Sequence, residues 1–523
     1  MRTILRLHVA IGLALQVPLA LASDTDIWAS HPSRNMVLQV GKLPERLDDS
    51  TLLWRQNFRA GAHYAMPTVI GDQVICGYRG DGLQDPVLQK QASRKCGALV
   101  CRDLHDGSIV WELAIGGNNV DNRFGVVQPP VVDGDRLYLL GLYQVLCLDL
   151  AGQADGDQGI DDTAWYQKYG IKVDSLPAHY GDVLWSYDTD RELKVHPEDA
   201  SSCAVLLQDD FVWVATGHSK GMKDEEYNPA PSLIVLERET GRLVAQDGME
   251  IPFIFHGQWS SPSMGVVDGQ VQVYFADGYG WLHAFAPPEV GQEGVQELQE
   301  IWRCDLNAPH RYQDGKEIPY HEKHFKPTIP IDDPYWATFE DGAFGPSEAI
   351  ATPVFHEGLI YIGTGRDAAH SGGGGAGGLR NEGTANFLCI DPRGSGDITD
   401  SNIVWHNTEA VVRTQSTASI LDDMIFVADT NGFLNCLDLA TGEELWEHDL
   451  GAKVTCRSQL VADGKVYVST DKKKNAFVLR AAREKELLWE GKAEGESATP
   501  GVGGGVVLLT DQKGISAFAG PGH

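Results

Sequence analysis

A chain of 523 residues with a formal net charge of −31 repels nucleic acid and anionic lipid head groups, which excludes both as partners. Its nine cysteines form neither a C-x-x-C-H haem signature nor the paired C-x-x-C of a zinc site. Length alone admits several domains or one large repeat fold.

The chain opens MRTILRLHVAIGLALQVPLALAS, with Arg2 and Arg6 ahead of an apolar run that ends at Ala20-Leu21-Ala22. This is the layout of a secretory leader, residues 1–22, cut after Ala22; an uncleaved anchor is the alternative. No cysteine follows the cut, which argues against a lipid anchor, and no later segment is apolar enough to span a bilayer. The expected location is the periplasm or the medium. Residues 23–49 then form an N-terminal extension, and 50–523 the folded domain.

From residue 67 a short apolar strand, a polar turn and a second apolar strand recur. The copies are PTVIGDQVICG at 67, PVVDGDRLYLLG at 130, AVLLQDDFVWVATG at 204 and PSMGVVDGQVQVYFADG at 262. They continue as PVFHEGLIYIGTG at 353, ASILDDMIFVADTNG at 418, QLVADGKVYVST at 459 and PGVGGGVVLLTD at 500, eight in all. A second marker is a strand carrying Trp111, Trp185, Trp302, Trp405, Trp446 or Trp489; the third unit has Ala245 there. Spacings of 41 residues from Trp405 to Trp446 and 43 to Trp489 fit a four-stranded propeller blade of about 40–45 residues. Trp54, in STLLWRQNF, precedes the first unit, whereas the eighth ends at GISAFAG without its last strand. The prediction is an all-β, eight-bladed β-propeller whose ring is closed by the N-terminal strand, leaving no open sheet edge. Cys101, Cys147, Cys389 and Cys436 each open a C-[RLI]-D phrase and read as buried small residues. The other five cysteines admit at most two bridges.

Cys101-Gly107-Trp111 and Cys436-Gly442-Trp446 resemble the blade-docking motif of the pyrroloquinoline-quinone (PQQ) repeat family, with cysteine in place of the usual alanine. The resemblance covers about residues 50–519 and implies a quinoprotein alcohol dehydrogenase-like propeller in which Trp54 and the six other marker tryptophans dock blades. HGQWSSPS at 256, DGYGWLHAF at 277, IATPVFHEGLIYIGTGRD at 350, CIDPRGSGDIT at 389 and VADTNGFLNCLDLATG at 427 look most like the exported PQQ-like repeat proteins of planctomycete-type bacteria. That likeness implies export but no reaction. PQQ dehydrogenases lay the cofactor over a tryptophan beside calcium, often under a disulfide between adjacent cysteines, and this chain has no adjacent pair.

Inner strands of a propeller line its channel, so residues at their entrances converge on one mouth. Gln128, Ser202, Gln258, Trp259, Glu348, Arg413, Gln415 and Arg457 occupy such positions. Together they suit a polar or anionic planar ligand, or else bond one another and trapped water. His256 reads as a base or as a turn-bonding residue, and Trp259 as a stacking platform or as filler between blades. Three insertions break the repeat. In 151–182, Asp155, Asp157, Asp161 and Asp162 are calcium candidates that lack the EF-hand's glycine and glutamate. In 305–347, His321 and His324 miss the H-E-x-x-H spacing. The glycine-rich run 366–385 has no following helix to make a phosphate cradle, and reads as a flap. No Ser-His-Asp grouping emerges, and the catalytic residues are unassigned.

Two main functional expectations follow. One is a non-catalytic binding or scaffold protein of the cell envelope, engaging a protein partner or a small polar ligand, as the single-propeller scaffold of outer-membrane barrel assembly does. The other is a PQQ-dependent alcohol or sugar oxidoreductase with calcium. A third reading is a structural envelope protein recruited through its acidic surface.

Overall fold

The computed structural model describes residues 28–522 except 59–64, 93–95, 118–124, 198–202, 220–229, 250, 252–256, 314–315, 318–346, 366–386, 412, 472–474, 493–497 and 512. The recurring hairpins form the first two strands of eight blades, each built on four antiparallel strands, and three of the sheets gain a short fifth strand in parallel. The innermost strands are Thr68–Ile70, Val131–Asp133, Leu206–Gln208, Ser263–Val267, Val354–His356, Ser419–Leu421, Leu460–Ala462 and Gly501–Gly503. These short strands are mostly buried and rich in β-branched residues, which suits their place between channel and blade. The fourth strands are Ile109–Ile115, Asp182–Asp188, Leu243–Gln246, Glu300–Asp305, Ile403–Asn407, Glu444–Asp449, Leu487–Lys492 and, for blade 8, Leu52–Asn57. Gln296–Glu297 and Gly396–Asp397 add a short parallel strand outside the third and fourth of these. Leu52–Asn57 pairs antiparallel with Gly514–Ala519, so the ring is closed by the N-terminal strand as expected.

The tryptophan motif has a mechanical explanation. Across each outer pair the tryptophan faces a small residue or valine: Trp111 opposite Cys101, Trp185 opposite Cys147, Trp405 opposite Cys389, Trp446 opposite Cys436 and Trp489 opposite Val478. A register shift follows each pair and bends the outer strand toward the next blade. There the indole N–H donates to a turn carbonyl: Trp54 to Leu104, Trp111 to Leu150, Trp185 to Arg238, Trp405 to Leu439 and Trp446 to Ala482, at 2.7–3.2 Å. The motif's glycine seats the preceding blade's ring. A Cβ on Gly442 would lie 2.4 Å from Trp405 Cε3, and one on Gly107 2.7 Å from Trp54 Cε3. Trp302 departs from the pattern, donating to Gln272 Oε1 within its own blade at 3.0 Å.

All nine cysteines are free thiols and eight are buried, so they pack rather than bridge. Among the described residues no helix is long and apolar enough to cross a membrane.

Candidate functional site

The entrances of the inner strands are held by a belt of hydroxyls that sequence reasoning missed. Ala204 N donates to Ser261 Oγ, Ser261 N to Thr352 Oγ1, Thr352 N to Thr417 Oγ1, Thr417 N to Ser458 Oγ and Ser458 N to Thr499 Oγ1, at 2.9–3.4 Å. Each bond crosses to the next blade, so five successive junctions from blade 3 to blade 8 are tied in the same way. The signal was present as a serine or threonine just before each apolar strand, in SSPS, ATP, STAS, RSQL and ATPG.

The predicted mouth residues sit on this belt. Gln258 is buried; its Nε2 donates to His218 O at 2.8 Å and Ser232 Oγ at 2.6 Å, while Oε1 accepts from Gly278 N at 3.3 Å. Gln415 Oε1 accepts from Cys456 N of the next blade at 2.8 Å. Arg457 donates to Thr455 O and Thr470 O and pairs with Asp471 Oδ1 at 3.0 Å. Glu348 and Arg413 are buried, whereas Gln128 and Trp259 are half-buried. The Trp259 ring folds over Gly257, where a Cβ would lie 2.5 Å from Trp259 Cε2. Ser202, like His256, His321, His324 and the glycine-rich run, lies outside the described residues.

The acidic insertion folds differently from the proposed calcium set. Asp161 caps the helix Asp162–Lys168, accepting from Ala164 N at 3.0 Å. The carboxylates that gather within 4.8 Å of one another are Asp157, Asp162 and Asp182, without Asp155 or Asp161. Asp182 escaped notice because it belongs to the next strand. Gln153 Nε2 lies between the two buried carboxyls, 2.8 Å from Asp162 Oδ2 and 3.2 Å from Asp182 Oδ1. The amides of Val183 and Gln158 occupy further lone pairs. Burial pushes Asp162 up to about 8 and Asp182 up to about 6. These three carboxylates are close enough to hold a cation, while the N–H groups on the two buried members suit a pair of carboxyls that shares a proton.

A second buried titratable group was invisible in the sequence. His283 Nδ1 lies 2.6 Å from Glu300 Oε1, and Nε2 lies 3.3 Å from Asp277 Oδ2. Burial opposes the imidazolium, but the two carboxylates outweigh it and lift His283 to about 9. Flanked on both sides, this ring is an internal strut with no face left for substrate.

Residues 394–520 match the family model described as outer membrane protein assembly factor BamB. No curated protein matches the chain in sequence. Solved structures similar to it include BamB from Moraxella catarrhalis, at 13% identity over 88% of this chain and 98% of that one, with a TM-score of 0.48. Quinohemoprotein alcohol dehydrogenase from Comamonas testosteroni is 14% identical over 95% of this chain and 81% of its own, with a TM-score of 0.45. Sqt1 from Saccharomyces cerevisiae is 10% identical over 90% and 98%, with a TM-score of 0.47.

Proposed function

We propose that this chain is an exported propeller acting as a non-catalytic binding or scaffold protein of the cell envelope. The observation that carries this reading is the use of the mouth's polar groups as mortar. Gln258 and Gln415 spend hydrogen bonds on neighbouring blades, and Arg457 on backbone carbonyls and Asp471 of its own blade. A catalytic group must instead present its proton or lone pair to the reacting atom. The leader at residues 1–22 supports a periplasmic or secreted location. The match of residues 394–520 to an outer membrane assembly factor family supports an envelope protein as partner.

A second reading, PQQ-dependent oxidation of an alcohol or sugar, rests on Trp259 and Arg413 at the same mouth. Trp259 would offer a half-buried aromatic face and Arg413 a guanidinium for a planar anionic quinone. The bound quinone would supply the two-electron chemistry.

Two measurements separate the readings. Chemical crosslinking in intact cells, followed by mass spectrometry, should recover a specific envelope protein joined to this chain. Titration with PQQ and calcium should leave the melting temperature unchanged. Saturable quinone absorption together with dye-linked alcohol oxidation would overturn the scaffold proposal.

A further inference from the structure

The N-terminal extension was expected at residues 23–49, and its residues 28–47 pack against the ring. Trp28–Ser30 forms a tight turn, His31 N donates to Trp28 O and Arg34 N to His31 O, and Trp28 Nε1 returns to Arg34 O at 2.8 Å. The chain then meets innermost strands in quick succession. Ser30 Oγ exchanges bonds with the Val132 backbone in blade 2. Pro32 O accepts from Met264 N in blade 4, and Ser33 O from Phe355 N in blade 5. Asn35 brackets Ile420 in blade 6, and Val37–Leu38 runs parallel to Val461 and Ala462 in blade 7. Arg34, fully buried, donates to Ala29 O, to Val205 O beside the inner strand of blade 3 and to Pro262 O beside that of blade 4, with its guanidinium 5.2 Å from the Trp28 ring.

Residues 30–38 thus reach six blades. Nine residues span at most about 30 Å when fully extended. A segment that short can still follow the inner rim, and its contacts come in blade order, 2, 4, 5, 6 and 7, while Arg34 reaches back to blade 3. Val132 and Val461 lie four residues beyond Gln128 and Arg457, or roughly 13 Å deeper at the rise of a β-strand. Other contacts lie nearer the mouth, at Val205, Pro262 and Ala418, one residue past the belt members Ala204, Ser261 and Thr417, so the segment lines the channel from the belt to the hairpin turns.

The ring does not need this segment to close. Each inner strand already pairs inside its own blade, and blade 8 is completed by Leu52–Asn57, which lies after the segment. Residues 28–38 add one two-residue parallel ladder, several single bonds, the Arg34 latch and the buried side chains of Trp28, Ala29, Met36 and Leu38. We propose that residues 28–38 are a separable plug: they fill the channel along its inner strands, and their withdrawal opens the ring from end to end without unfolding it.

Amide hydrogen exchange on the full chain tests this. Replacing Arg34 by methionine keeps the apolar length and removes the donors. Exchange at Met264, Phe355 and Val461, whose acceptors belong to the plug, should quicken by about tenfold or more, as expected for local opening. The amides of Gln270–Ala276 and Met424–Ala428, inside the blades, should keep their protection. Unchanged exchange at the three reporter amides would overturn the proposal. So would equal acceleration in every blade, because the segment would then be part of the ring's cooperative core. A second variant removes dependence on Arg34: a specific protease site inserted at Gly41, whose Cβ position is open. After cleavage the N-terminal fragment should dissociate on dilution and leave a folded monomeric ring; unfolding or aggregation of the remainder would refute separability.

Discussion

Gly442→Ala isolates the energy of blade docking. Gly442 has φ 72°, and an added methyl would lie 2.4 Å from Trp405 Cε3 and 2.7 Å from Cδ2. The left-handed backbone costs an alanine about 1 kcal/mol. The overlap is with a ring held by its bond to Leu439 O at 3.2 Å and stacked near Phe387, at 6.1 Å between centroids. Moving such a ring adds about 1–3 kcal/mol, so the expected loss is about 2–4 kcal/mol. Gly464→Ala is the control: φ is 66° but nothing lies within 4 Å of its Cβ, so only the backbone cost of about 1 kcal/mol applies. In a Trp405→Leu background, Gly442→Ala should also fall back to about 1 kcal/mol, giving a coupling of about 1–3 kcal/mol. Urea unfolding followed by far-ultraviolet circular dichroism measures all four chains without relying on tryptophan emission. Equal losses for Gly442→Ala and Gly464→Ala, or an unchanged loss in the Trp405→Leu background, would show that the glycine serves the turn and not the indole.

Asp162 and Asp182 are held above the ordinary carboxylate range, so their protonated pair stabilises the fold fully below about pH 4. That contribution should fade as pH rises through about 6 and about 8. Asp162→Asn should flatten the fall in melting temperature, and a rise in melting temperature on adding calcium would contradict the shared-proton assignment. His283, raised to about 9, contributes stability that is complete below about pH 6.5 and lost as pH climbs through 9. His283→Gln should therefore lower the melting temperature near neutrality and remove the dependence above pH 7 or so; a parallel pH curve in the variant would refute the strut. Trp259→Ala should cost less stability than Trp405→Ala, because Trp405 docks its blade on the next one through its bond to Leu439 O and stacks near Phe387. Crosslinking yield should drop in that variant if the mouth recognises the partner, and an unchanged yield would place recognition elsewhere on the ring.

The fold was legible because a propeller repeats its solution. Gly442 and Trp446 had counterparts at fixed spacing, and the misplaced Trp54 revealed closure because an eighth unit lacked its last strand. The mouth was legible in position but not in use. Gln258 and Arg457 were recognisable as inner-strand entrance residues, yet nothing local in HGQWSSPS or CRSQL shows that their donors turn toward His218 O, Ser232 Oγ and Asp471. Those partners lie in the preceding blade or on a following strand. The same distance hid Asp182 from Asp162 and Glu300 from His283. Residues 28–47 carry no repeat, and their contacts, such as Asn35 with Ile420, span nearly the whole chain.

Recurrence also separates architecture from recognition. A group found at several blade entrances answers a need that several blades share, and the serine and threonine belt answers the need to satisfy a backbone N–H at each junction. A ligand or partner sees one face of one ring, so it must be distinguished by groups that do not recur. At the mouth these are Trp259 and Glu348, an aromatic face and an acid on successive blades 4 and 5, since Arg457 on blade 7 repeats the guanidinium of Arg413 on blade 6. The plug adds a second asymmetry, since it enters beside blade 2 and leaves along blade 7. A ring with near-eightfold scaffolding thus acquires one distinguishable sector at its mouth and one asymmetric lining of its channel, the two departures from symmetry that directional binding requires.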